Sequence, residues 1–125
     1  PVYIIIIPFI FVTMVKGQHL SCNEPLGMQN MDIHDSQITS SSAYDGEEAY
    51  RSRPQSVGWR PSVYADSWLQ INLLRQTIVT GVVTLGQYSN NYYVTRYKVT
   101  TSLDGVNWKN VTDEKGEFEV LKRYS

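Results

Sequence analysis

The chain has 125 residues, room for about one domain of ordinary size, and 42% of them are hydrophobic. Eleven Lys and Arg stand against twelve Asp and Glu, a formal net charge of -1. That balance lacks the basic footprint nucleic-acid binding needs, so no nucleic-acid partner is expected. One cysteine and two histidines, His19 and His34, are too few for a Cys/His zinc site and offer little to a thiol–imidazole pair.

Residues Pro1–Val15 (PVYIIIIPFIFVTMV) are almost continuously apolar, and the run ends at Lys16-Gly17-Gln18. A membrane-spanning helix needs about 20 such residues. The run instead has the length of the apolar part of a secretory leader, so residues 1–17 are expected to be a signal peptide or apolar leader and the mature chain to begin near Gln18. A membrane anchor and an Ile-rich buried strand are the other two readings of this run.

From Cys22 onward, short β-type runs alternate with turn residues, and no helical stripe of useful length occurs. Strands are expected at Gln37–Ser42, Trp68–Leu73, Thr77–Leu85, Val94–Ser102, Trp108–Val111 and Phe118–Leu121. Gly81 inside its run suggests a bulge. Asp104-Gly105 between two runs is a hairpin signal, because glycine takes the positive φ such a turn demands, and Glu114-Lys115-Gly116 suggests another turn. Ala43–Asp66 has little periodicity, and a loop of that length in a small domain is commonly functional. The pattern predicts an antiparallel β-sandwich or barrel.

Seven elements in order give the chain a family resemblance. Cys22-Asn23-Glu24-Pro25-Leu26-Gly27-Met28 resembles the opening of a discoidin domain, also called the coagulation factor 5/8 type C domain. Asp35–Ser42 (DSQITSSS) is similar to its D-x-Q-I-T-A-S-S element, Trp59-Arg60-Pro61 to its W-x-P turn, and Trp68–Leu73 (WLQINL) to its W-L-Q-V-D-L strand. Val79–Val82, Tyr93–Tyr97 and Ser102–Trp108 resemble its V-T-G-V, Y-V-x-x-Y and S-x-D-G-x-x-W patterns. Asn72 stands where the family usually has Asp. The family's later strands and closing cysteine have no counterpart before Ser125. The resemblance therefore implies an all-β, discoidin-like antiparallel β-sandwich of jelly-roll type over residues 22–125, incomplete at the C-terminus. It also implies that Cys22 is disulfide-bonded to a cysteine beyond the end of this chain.

No catalytic constellation is present. His34 lies between Asp32 and Asp35 with no second ligand placed to join it, and Ser40–Ser42 lacks the G-x-S-x-G context of a serine nucleophile. The resemblance implies instead a non-catalytic extracellular module that presents ligand from loops at one end of the sandwich. By that carry-over the ligand-binding loops are Tyr44, Asp45, Glu47 and Tyr50 in the first and Tyr88, Asn90, Asn91 and Tyr92 in the second. Tyrosine offers a flat apolar face and a hydroxyl, which suits a glycan or a protein surface. Asp45, Glu47 and Glu48 would repel an anionic phospholipid surface, which ranks peripheral membrane binding below a cell-surface or matrix glycan or protein. The third reading is a lectin acting alone. No cofactor is expected, calcium being the one ion those three carboxylates would admit as weak candidates. Trp59, Trp68 and Trp108 are expected to serve the core or anchor loops, while Arg60, Arg75, Arg96 and Lys98 form a polar face or pair with Asp66 and Asp104. Asn110-Val111-Thr112 is an N-glycosylation sequon. The expected location is secreted or at the extracellular face of the cell.

Overall fold

The computed structural model describes residues 3–6, 11–15, 24–86, 92, 94 and 97–111. Among these residues eight strands follow in chain order: β1 (Tyr3–Ile6), β2 (Phe11–Val15), β3 (Glu24–Pro25), β4 (Ile38–Ser40), β5 (Leu69–Asn72), β6 (Ile78–Val83), β7 (Thr100–Ser102) and β8 (Lys109–Asn110). Two 3-10 turns, Asp35–Gln37 and Ala49–Ser52, are the helical elements among the described residues. One sheet has the order β4-β5-β1-β7-β8 and the other β3-β2-β6, with every pairing antiparallel. The fold is all-β, the discoidin β-sandwich class.

Alternation explains how these strands close a core. In β5, Leu69 and Ile71 are fully buried while Gln70 and Asn72 are partly exposed, the period of two that a strand imposes. They pack with Met28, Ile33, Ile38, Ala49, Trp59, Leu73, Val82 and Val99. Each such apolar side chain contributes about 1.5–3 kcal/mol by leaving water. The bulge signal is realised beside Gly81: the β2–β6 register pairs Thr13 with Gly81 but Met14 with Val79, so β6 carries one extra residue there.

Several expected strands are shorter. Gln37 belongs to a 3-10 turn because its side chain is spent locally, its Oε1 accepting from the His34 N–H at 2.9 Å and its Nε2 donating to the Asn72 carbonyl at 2.7 Å. The β7 ladder is confined to Thr100–Ser102, and Val94 and residues 97–99 lie outside it. Phe118–Leu121, the Glu114–Gly116 turn and Cys22 lie outside the described residues. Asn72 keeps a turn contact despite its missing charge, since its Oδ1 accepts from the Leu74 N–H at 2.9 Å.

Residues 3–6 and 11–15, the body of the apolar run, pair as β1 between β5 and β7 and as β2 between β3 and β6.

The β7–β8 turn forms where Asp104-Gly105 foretells it, with Gly105 at φ 74°. Asp104 Oδ1 accepts from the N–H groups of Val106 and Asn107 and its Oδ2 from Asn107 Nδ2, at 2.7–2.8 Å. Ser102 Oγ donates to Oδ1 at 2.9 Å. The Asn107 and Val106 donors hold the Asp104 pKa well below the usual carboxylate range. A depressed carboxylate pKa stabilises the fold fully above its unfolded value, about 3.9, and the contribution is lost as pH falls below it. Thermal melts at neutral pH and below about pH 4 should therefore show a larger acid-induced fall for the wild type than for Asp104→Asn. Equal falls in the two proteins would remove Asp104 from the account of acid sensitivity.

Candidate functional site

Strand directions separate the two ends of the sandwich. β5 and β7 are both antiparallel to β1 and so run the same way, while β4 runs against β5. The turn after β7 thus lies at one end, and the long loop after β4 lies at the other, beside the start of β5.

This loop is held by backbone and hydroxyl contacts rather than by a ladder. The Ser41 N–H donates to the Trp68 carbonyl and the Tyr44 N–H to the Arg60 carbonyl, both at 3.0 Å. The Arg60 N–H donates back to the Glu47 carbonyl at 3.2 Å. Ser41 Oγ accepts from the Trp68 N–H at 3.0 Å and Ser42 Oγ from the Val63 N–H at 3.1 Å. Beneath the loop Trp59 is 1% exposed and donates its indole N–H to the Ser42 carbonyl at 2.8 Å. Gly46, at φ 79°, makes the tip turn possible, a backbone conformation that side-chain-bearing residues rarely adopt.

On that support stands a cluster centred on Arg60. Its guanidinium carbon lies 4.2 Å from the centroid of the Tyr44 ring and 5.7 Å from that of Tyr92, within cation–π range of both. Arg60 Nε donates to Glu47 Oε2. That hydrogen bond is the main reason the arginine's pKa is raised, with the charges of Glu47, Tyr64 and Tyr44 adding to it. Tyr44 and Tyr92 remain 40% and 53% exposed, and the neighbouring Val63 and Tyr64 are 60% and 66% exposed. The result is a rim of solvent-facing rings around an arginine whose charge is already answered.

A second cluster lies along the same loop. Arg51 sits 5.4 Å from the Tyr50 ring centroid and 3.4 Å from Glu48 Oε2. Backbone N–H groups of Glu48 and Gly46 lower the Glu48 pKa, and Arg51 adds to that effect. Both arginines are partly exposed, and screening by water keeps the contribution of such surface pairs to stability small. Their consequence is electrostatic: they leave Asp45 as the uncompensated charge of the first loop among the described residues.

The sequence expectations are thus partly redrawn. Tyr44, Glu47 and Tyr92 come together, Tyr50 and Glu48 form a separate pair of contacts with Arg51, and Tyr88, Asn90 and Asn91 lie outside the described residues. Of the three acids read as repelling an anionic surface, Glu47 and Glu48 face different arginines, because a loop folded back on Arg60 and a 3-10 turn carrying Arg51 bring cations to them. Among the described residues no three His, Cys, Asp or Glu side chains are placed to hold a metal ion. Arg60, read as a residue of a polar outer face, is the centre of the rim, and Asp104 is spent within its own turn. No sequence signal marks Arg60, since it meets Tyr44 across a gap of 16 positions that only the folded loop closes. His34 is exposed, and its described contacts are backbone hydrogen bonds with Gln37.

A two-sheet antiparallel sandwich that carries its exposed aromatic residues on a long loop at one end is the architecture of a binding module. Residues 35–123 match the F5/8 type C domain model, and the chain belongs to that family. Its relatives include rat lactadherin, 38% identical over 120 residues that cover 81% of this chain and 27% of lactadherin. Pig coagulation factor VIII is 41% identical over 99 residues, covering 70% of this chain and 5% of that protein. Human neuropilin-1 is 38% identical over 116 residues, covering 84% of this chain and 12% of its own length. The chain therefore spans about a quarter or less of these relatives. No solved structure matches it. The family is one of extracellular, non-catalytic binding modules. Among the described residues no helix is long and apolar enough to cross a membrane.

Proposed function

We propose that the chain is an extracellular adhesion or matrix-recognition module whose Tyr44–Arg60–Tyr92 rim binds a glycan or protein surface. The stacking of Arg60 on Tyr44 at 4.2 Å, with Glu47 neutralising it, supports this reading most directly. Flat rings beside a balanced ion pair suit the C–H faces and hydroxyls of an uncharged sugar or the mixed surface of a protein. They offer no excess positive charge to an anionic membrane.

Tyr44→Ala and Tyr92→Ala should each weaken binding on a glycan array or to a matrix protein by about 2 kcal/mol, roughly thirtyfold. Their melting temperatures should change little, as both rings are substantially exposed. Tyr50→Ala, outside the rim, should have the smaller effect. A fall in stability with unchanged binding would show that the rings serve packing instead. The second reading, peripheral binding to anionic phospholipid, is favoured by exposed Val63 and Tyr64 beside Arg60. Tight binding of the wild type to phosphatidylserine vesicles at physiological salt would reverse the order of the two.

We also propose that residues 1–17 are a leader that delivers the chain to the secretory route and that Cys22 is disulfide-bonded in the longer protein. Intact-mass measurement of the secreted product should find residues 1–17 absent. A secreted, folded chain that keeps them would make β1 a permanent member of the sheet and overturn the leader reading. Thiol labelling of the native full-length protein should leave Cys22 unmodified.

A further inference from the structure

Asn110 begins the chain's single N-x-S/T sequon, Asn110-Val111-Thr112. It lies on β8, the outermost strand of the five-stranded sheet, whose partner is β7 through Thr100↔Asn110 and Thr101↔Lys109. Among the described residues nothing pairs with the other side of β8. The flanking residues show which way Asn110 faces. Lys109 and Val111 line a cleft of about 550 Å³ with residues of β6, β7 and the β7–β8 turn, and Val111 is partly buried against the core, its N–H donating to the Val99 carbonyl at 2.9 Å. Alternation along the strand places the Asn110 side chain on the opposite face, away from the cleft. It is exposed, and its amide makes no hydrogen bond among the described residues. The acceptor amide is therefore accessible without disturbing the core.

We infer that Asn110 carries an N-linked glycan. The modification transfers an oligosaccharide from a lipid-linked pyrophosphate donor. The bond between the sugar's C1 and the pyrophosphate oxygen breaks, a bond forms from C1 to Asn110 Nδ2, the amide gives up one proton, and the lipid pyrophosphate leaves. Through Thr100↔Asn110, Ile5↔Thr100 and Ile5↔Gln70 the site stands level with the start of β5, at the end of the sheet that carries the rim but three strands away across it. The inference rests on the extracellular reading, since the donor is met in the secretory route.

The test expresses the full chain in mammalian cells behind its own leader and, in parallel, behind an unrelated secretory leader. A mobility shift reversed by peptide N-glycosidase, with Asn110 converted to Asp in the peptide map, is the expected result. Asn110→Gln and Thr112→Ala should abolish the shift, and Thr112→Ser should keep it, which guards against a variant that fails to fold. A chain secreted behind either leader with Asn110 unmodified would overturn the inference. Failure of secretion behind the native leader alone would count against the leader proposal and leave the glycan standing.

Discussion

Trp59→Ala is expected to cost about 3–5 kcal/mol, the usual range for truncating a large buried aromatic side chain. With total stabilities commonly about 5–15 kcal/mol, this variant should populate the unfolded state under mild denaturant, visible as a large fall in the urea midpoint. Two effects combine. The ring is 1% exposed within the core, so its removal leaves a cavity, and the Ser42 carbonyl loses the indole N–H at 2.8 Å. Trp59→Phe separates them, retaining most of the volume while leaving the carbonyl unanswered, and should cost about 1–3 kcal/mol. Because Ser42 precedes Tyr44 by two positions, Trp59→Phe should also loosen the rim and weaken ligand binding more than its stability loss alone explains. A urea midpoint for Trp59→Ala within error of the wild type would refute the assigned role.

Arg53→Ala should lower stability by about 3 kcal/mol, measured in the same way. The Arg53 side chain is 9% exposed. Its Nη1 donates to the Met28 carbonyl at 2.7 Å, and its Nη2 donates to the Ile33 carbonyl and to Asp35 Oδ1, both at 2.6 Å. One planar guanidinium thus ties the segment before β4 to the 3-10 turn after it, and alanine leaves two carbonyls without this donor. Arg53→Lys should recover only part of the loss, since one ammonium cannot reproduce the guanidinium's fork. Asp35→Ala, whose carboxylate is half exposed, should cost about 1 kcal/mol or less. If Asp35→Ala matched Arg53→Ala, the exposed ion pair rather than the carbonyl contacts would be the source of the effect.

Features carried by short stretches of sequence were legible before any coordinates. Alternation in Leu69–Asn72, the bulge beside Gly81 and the Asp104-Gly105 turn each depend on residues a few positions apart, so local sterics and a period of two suffice to specify them. The family resemblance lay in motifs of the same local kind, and it carried the sandwich class with it. The lengths of β4 and β7 were less legible, because a strand ends where its partner ends or where a side chain such as Gln37 diverts backbone donors and acceptors.

The rim belonged to the tertiary structure. Tyrosines in two loops pointed to a binding end, but the charge state of that end was decided by contacts between residues distant in sequence. Arg60 reaches Glu47 across 13 positions and Tyr92 across 32. Arg53 reaches Met28 across 25. Contacts of this kind depend on how a long, aperiodic loop folds back on the core, and no pattern within the loop encodes it. Sequence alone thus determined that the chain forms a β-sandwich with an aromatic, acid-bearing loop. The three-dimensional packing decided that two of those acids are neutralised and that one arginine gathers the rings, because Coulombic and stacking energies depend on distance in space rather than along the chain.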